Sequence, residues 1–196
     1  MPIETVEDLR AHLELAIKVE LSTVPPYLYA KYSIEDQRSE AAMLLRSIVT
    51  EEMLHATLAA NLLLAIGGQP QFADPSYVPV YPSPLAHHRP PLQLDLAPCT
   101  PETVRGIFMG IERPEVHDAP AEPDEYETLG QFYHALEQAF VALDARGDLF
   151  SNPQTEQQLG DPSFYGPVAG DAEDSGGLML VTDLDSAIAA IEVAIR

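Results

Sequence analysis

Apolar residues recur at helical spacing along two long stretches near the start of the chain. In the first they stand at Leu9, Leu13, Ile17, Val24 and Leu28, behind a Thr5/Asp8 pair spaced as a capping box. In the second the inward stripe reads Leu45, Ile48, Glu52, His55, Ala59, Leu62 and Ile66. It starts at Ser39-Glu40 and stops at Gly67-Gly68, with Pro70 beyond. Three ionisable residues interrupt these stripes: Glu20 on the first, Glu52 and His55 on the second. Residues i and i+3 share a helix face, so Glu52 and His55 converge. A carboxylate facing a core without a partner costs several kcal/mol or takes up a proton. The alternative for Glu20 is an edge position that reaches solvent. Glu51 points about 100° away around its helix and is the weaker candidate. Pro25-Pro26, one turn after Glu20, predicts a kink or local break. Tyr27, Tyr29 and Tyr32 read as packing or interface residues.

Beyond the second helix the pattern changes. Residues 67–100 carry prolines at 70, 75, 79, 82, 84, 90, 91 and 98, which exclude a regular helix. Tyr77, Val78, Val80 and Tyr81 suggest extended segments there. A connection this long is either functional or draped over the surface. His87-His88 lies within it without a carboxylate at helical spacing and reads as structural. Thr100-Pro101-Glu102 opens a third helix with Val104, Ile107, Phe108 and Ile111 on its apolar face. Glu112 follows directly, before Arg113-Pro114. An acidic linker, 114–126, leads to a fourth helix at about 127–146 with Leu129, Phe132, Leu136, Phe140 and Leu143 inward. His134 and Glu137 on it read as a solvated pair. Residues 147–177 read as loop, and Leu178-Met179-Leu180-Val181 as a short extended run. Thr182-Asp183 caps a last helix with Ala187, Ile188, Ile191 and Ile195 on its core face; it reaches Arg196 without a stop signal, as a truncated C-terminus would.

Four to five helices with little strand signal predict an all-α antiparallel helical bundle with long proline-rich loops, in a single domain over 1–196. A short link between the first two helices predicts that they pack antiparallel. Glu20, Glu52 and His55 then stand at a similar height. Carboxylate and imidazole donors suit iron, manganese or zinc better than calcium or magnesium, and Glu112 completes a four-residue set. The formal net charge of −21 makes nucleic acid and anionic membranes poor partners. A lone cysteine, Cys99, permits no intrachain disulfide and favours a cytoplasmic location. No signal peptide is visible, and no apolar segment is read as approaching the ~20 residues that span a bilayer.

Several runs carry a resemblance. They are Glu20-Leu21-Ser22-Thr23-Val24-Pro25-Pro26-Tyr27-Leu28-Tyr29-Ala30, Glu51-Glu52-Met53-Leu54-His55, and the stretch from Ala59 to Gly68. Phe108-Met109-Gly110-Ile111-Glu112-Arg113-Pro114-Glu115, Gly130-Gln131-Phe132-Tyr133 and Val181-Thr182-Asp183-Leu184 add to it. Together they resemble a ferritin-like family that includes iminophenyl-pyruvate dimer synthase-type enzymes of bisindole biosynthesis. The resemblance implies a ferritin-like bundle with Glu20, Glu52, His55 and Glu112 as metal positions. It implies iron as mono- or di-iron, with manganese or zinc as alternatives. An iron- or manganese-dependent oxidoreductase acting on a small molecule would follow. Two departures stand out: Gln131 where family members often carry glutamate, and no further carboxylate and histidine after the last helix. The second reading is a non-catalytic bundle, structural or a partner protein, with an incomplete or metal-free polar site. The reaction, the substrate and whether the chain forms a homo-oligomer stay open.

Overall fold

A computed structural model of the chain describes residues 3–113, 120–147, 149–162, 164 and 177–195. It is mostly helical, as the apolar spacing predicts. Helix α1 spans Val6–Tyr32 and opens on the Thr5/Asp8 capping box; Thr5 Oγ1 accepts from the Asp8 amide at 3.1 Å and Asp8 Oδ2 from the Thr5 amide at 3.0 Å. Helix α2 spans Glu40–Ala65. It ends in a Schellman turn, in which Gly68 N donates to Leu63 O and Gly67 N to Leu64 O, with Gly67 at φ 75°. The guanidinium of Arg10 caps the same end by donating to Ile66 O at 3.0 and 2.5 Å. Arg10 with Ile66, Glu20 with His55 and Thr23 with Glu52 are cross-helix partners, so the two helices run antiparallel.

The prolines do not break α1, so of the kink or local break expected from the sequence the break does not occur. Pro26 removes the amide that would reach the carbonyl of Ser22. The Tyr81 hydroxyl, arriving from the proline-rich connection, donates to that carbonyl at 2.6 Å. Ser22 Oγ and Thr23 Oγ1 also donate to Val19 O and Glu20 O at 2.6 Å each. The helix therefore passes through Pro25 and Pro26, with the carbonyl freed by Pro26 served by Tyr81. Tyr81→Phe is expected to leave the Ser22 carbonyl buried and unpaired, lowering stability by about 1–3 kcal/mol. Urea unfolding followed by circular dichroism reads this directly.

Helix α3 is one rod with a changed middle: α over Pro101–Thr103, π over Val104–Phe108 and α again over Met109–Ile111, with Glu112 as its cap residue. The π stretch was not legible in the apolar spacing. Helix α4 spans Leu129–Asp144 and α5 spans Leu184–Ile195. On α5 the buried residues are Ala187, Ala190, Ile191, Val193 and Ala194; Ile188 and Ile195, expected inward, are half-buried. Of the residues expected to be extended in the 67–100 connection, Tyr77 ends a 3-10 turn (Pro75–Tyr77) and Val78 is extended, while the paired strands fall later, in β1 (Ser83–Pro84) and β2 (Gln93–Leu94), which run antiparallel. Residues 178–181 form no strand. Their backbone groups are taken by side-chain amides instead: Gln158 bonds both N and O of Val181, and Asn61 donates to Met179 O.

Two apolar clusters fill the interior. One joins Leu9, Leu13 and Ile17 of α1 with Leu54, Leu58 and Leu62 of α2 and the inner faces of α4 and α5. The other joins Val19, Tyr27 and Ala30 of α1 with Leu45 and Val49 of α2, Leu85, Leu94, and Phe108 and Ile111 of α3. Contrary to the sequence expectation, α2 has the length and apolar composition to cross a membrane. About two-thirds of that window is buried against the other helices, which marks α2 as a core helix.

Candidate metal centre

Where the two clusters meet, α1 and α2 bring ionisable side chains inward. Glu20 is 1% exposed and Glu52 5% exposed. The His55 side chain retains 17% exposure, with Nδ1 3.9 Å from Glu20 Oε2. Two neighbouring ligands of one ion, each about 2.1 Å from it, stand about 3.0–3.4 Å apart, so this pair would have to close by about half an ångström to share an ion. The Tyr133 hydroxyl of α4 donates to Glu20 Oε1 at 2.5 Å, while Glu20 Oε2 is buried without a hydrogen-bond partner. Glu112 occupies an exposed position at the end of α3, yet its carboxyl turns to the fully buried Tyr27, which donates to Oε1 at 2.5 Å.

The electrostatics follow from this burial. Desolvation pushes Glu20 up to about 7, and raises Glu52 well above its ordinary range with the Glu20 charge adding to the effect. Glu112 is also raised, by burial first, and Glu51 is a further charge acting on it. His55 is pushed down to about 4 by burial alone, so its imidazole is neutral at pH 7. Thr23 Oγ1 lies 2.6 Å from both Glu20 O and Glu52 Oε2. One hydroxyl proton cannot serve two acceptors, and a proton on Glu52 resolves the conflict in the metal-free protein.

The antiparallel register thus brings Glu20, Glu52 and His55 together, with Glu112 at the rim. Sequence reasoning missed the hydroxyls of Thr23, Tyr27 and Tyr133. A signal existed: Glu20, Thr23 and Tyr27 stand at i, i+3 and i+7 on α1, and Tyr133 shares a face with Leu136 and Phe140 on α4. Gln131 has a different task. Its Oε1 accepts from the amides of Glu127 and Thr128 and its Nε2 donates to Pro120 O, so it caps α4. His88 is buried, with Nδ1 2.7 Å from Pro90 O; His87 Nδ1 lies 2.7 Å from Asp124 O, and both histidines tie the loop. His134 and Glu137 form a partly exposed pair at 3.2 Å.

The match to known families covers residues 13–196 and falls on the Ferritin-like family. The chain belongs to that family. Among solved structures, a ferritin like protein from Caulobacter vibrioides superposes with a TM-score of 0.74 at 24% identity, over 100% of this chain and 69% of that one. At that identity the likeness is one of fold. No curated protein matches the chain. Within this Ferritin-like bundle Glu20, Glu52 and His55 are donors of the type that could hold a metal ion, though among the described residues no three such side chains are gathered closely enough to hold one as they stand.

Proposed function

We propose that this Ferritin-like protein binds a redox-active ion of the iron class through Glu20, Glu52, His55 and Glu112. We further propose that it acts as an oxidoreductase related to the iminophenyl-pyruvate dimer synthases. The observation that carries the metal reading is Glu20 Oε2, a buried carboxyl oxygen that receives no hydroxyl or amide donor and stands beside the Glu52 carboxyl and a neutral histidine. Iron bound there would supply one-electron chemistry toward dioxygen or peroxide. The protein's own groups supply the rest. Glu20 and Glu52 give up protons to become ligands, and His55 offers a lone pair without losing one. The apolar residues on both sides, such as Ile17 and Val49, keep water from the carboxylates. Glu112, at the exposed end of α3, stands on the side from which a small-molecule substrate arrives, with the 67–100 connection covering the approach.

One observation favours a second reading, a metal-free buried polar network. Among the described residues no three His, Cys, Asp or Glu side chains are gathered closely enough to hold an ion as they stand. Elemental analysis separates the two. Protein loaded anaerobically with Fe(II), Mn(II) or Zn(II) and desalted is expected to retain metal, and His55→Ala to lose it. Retention below ~0.1 ion per chain for all three sinks the metal reading. Loaded iron that turns over with dioxygen and a reductant, lost in His55→Ala, decides for an enzyme over a structural bundle.

A further inference from the structure

We propose that Tyr27 and Tyr133 are positioning residues, whose phenol hydroxyls each hold one outer carboxylate of the centre by a single oxygen and leave its other oxygen for the ion. The inference rests on the metal reading above and extends it to residues outside the ligand set. Tyr133 donates to Oε1 of Glu20, and Oε2 of the same carboxyl receives no hydroxyl or amide donor and is left to the Glu52 side. Tyr27 donates in the same way to Oε1 of Glu112. Both phenols are themselves fixed. Tyr27 packs on Phe108 of the π stretch with ring centroids 4.5 Å apart, and Tyr133 on Phe132 at 5.8 Å. Burial does not by itself send a tyrosine hydroxyl to a carboxylate here: equally buried Tyr126 donates to the Ala86 carbonyl.

The chemical type of the donor matters. A lysine or arginine would orient a carboxylate and also neutralise it, weakening its hold on a cation. A phenol orients the carboxylate and leaves its charge in place. Among the described residues no Lys or Arg forms an ion pair with Glu20, Glu52 or Glu112. The two tyrosines also arrive from different sides. Tyr133 fastens Glu20 to α4, and Tyr27 fastens the end of α3 to α1. Glu112 is anchored by its amide to Phe108 O at 2.9 Å, and Tyr27 is the hydrogen-bond donor that turns its carboxyl toward the other two.

The test uses Tyr27→Phe and Tyr133→Phe, with Fe(II) and Mn(II) withdrawn by a graded chelator and retained metal measured by elemental analysis. Both variants are expected to keep the wild-type circular dichroism spectrum while metal affinity falls about 10–100-fold, the usual effect of removing a ligand's hydrogen-bond partner. Ferric-loaded wild type is expected to show no phenolate-to-iron charge-transfer band. Wild-type affinity in the phenylalanine variants overturns the inference. So does a charge-transfer band that one of them abolishes, because that tyrosine is then a ligand. If Tyr133→Phe fails to fold, Tyr27→Phe decides alone. Glu20→Gln and His55→Ala run alongside. If these lose metal while the phenylalanine variants bind normally, only the positioning role falls; if wild type binds none, the metal reading falls and takes this inference with it.

Discussion

Glu20→Gln and Glu52→Gln are expected to stabilise the metal-free protein at pH 8 while abolishing metal uptake. The affinity of Glu20 for its proton is raised from the ordinary 4.5 to about 7 by burial, so above pH 7 the fold must hold an ionised carboxylate in an apolar setting. A shift of that size corresponds to about 3 kcal/mol. Glu52 is raised in the same sense, with the Glu20 charge adding to its burial. An amide keeps the shape without the charge: at Glu20 its oxygen accepts from Tyr133, and at Glu52 its NH2 donates to Thr23 Oγ1 as the carboxyl proton does. In a chain of this size the gain amounts to about 5–10 °C in Tm. Thermal melts with chelator present check it, and an unchanged or lower Tm in both variants refutes it. Functional sites commonly trade stability for chemistry in this way.

Loss of stability as pH rises from about 5 to 8 is the second expected result for the metal-free protein, opposite to the usual behaviour of carboxylates held by salt bridges. Glu20 has a folded value, about 7, above its ordinary 4.5. Its contribution is fully present below 4.5 and is lost as pH rises through 7. Glu52 acts in the same sense and extends further upward. His55 opposes them: pushed from 6.5 to about 4, it contributes above 6.5 and loses that contribution as pH falls through 4. Between 4.5 and 6.5 the histidine offsets one carboxyl and the other remains; from 6.5 to about 7 both carboxyls act unopposed, and beyond that Glu52 alone continues the fall. The acidic net charge of −21 adds repulsion in the same direction. Metal affinity should rise over this window, because binding displaces the two carboxyl protons. Melts across the range with chelator, and metal titrations without it, read the two opposing trends. A Tm that climbs with pH in chelator counts against the protonated pair.

Much of this was legible in the apolar spacing. The capping box at Thr5, the glycine stop at Gly67 and the antiparallel pairing of α1 with α2 follow from local rules that tertiary contacts do not override. Glu20, Glu52 and His55 were visible because each replaces an apolar residue in a regular stripe. What stayed hidden depends on partners far along the chain. The prolines of α1 could not be read as continuous helix without Tyr81, fifty-nine residues after Ser22. Tyr133 could not be tied to Glu20 before α4 was placed against α1. The π stretch of α3 leaves no mark on a short apolar face, and Leu178–Val181 has the composition of a strand while Gln158 takes the place of its ladder.

The division of the interior into two apolar clusters has a mechanical meaning. Ile17 and Leu54 belong to one cluster, Val19 and Val49 to the other, and the polar layer of Glu20, Thr23 and Glu52 lies at the boundary between them. Helix α1 crosses that boundary and then loses two successive rungs of its hydrogen-bond ladder at Pro25 and Pro26. Although Leu15 and Leu129 touch both clusters, the half that carries Glu112 is expected to exchange its amide hydrogens ahead of the half that anchors α4 and α5 in the metal-free protein. An ion bound at the boundary would bolt the two units together, and the bundle would then exchange its amide hydrogens as one body.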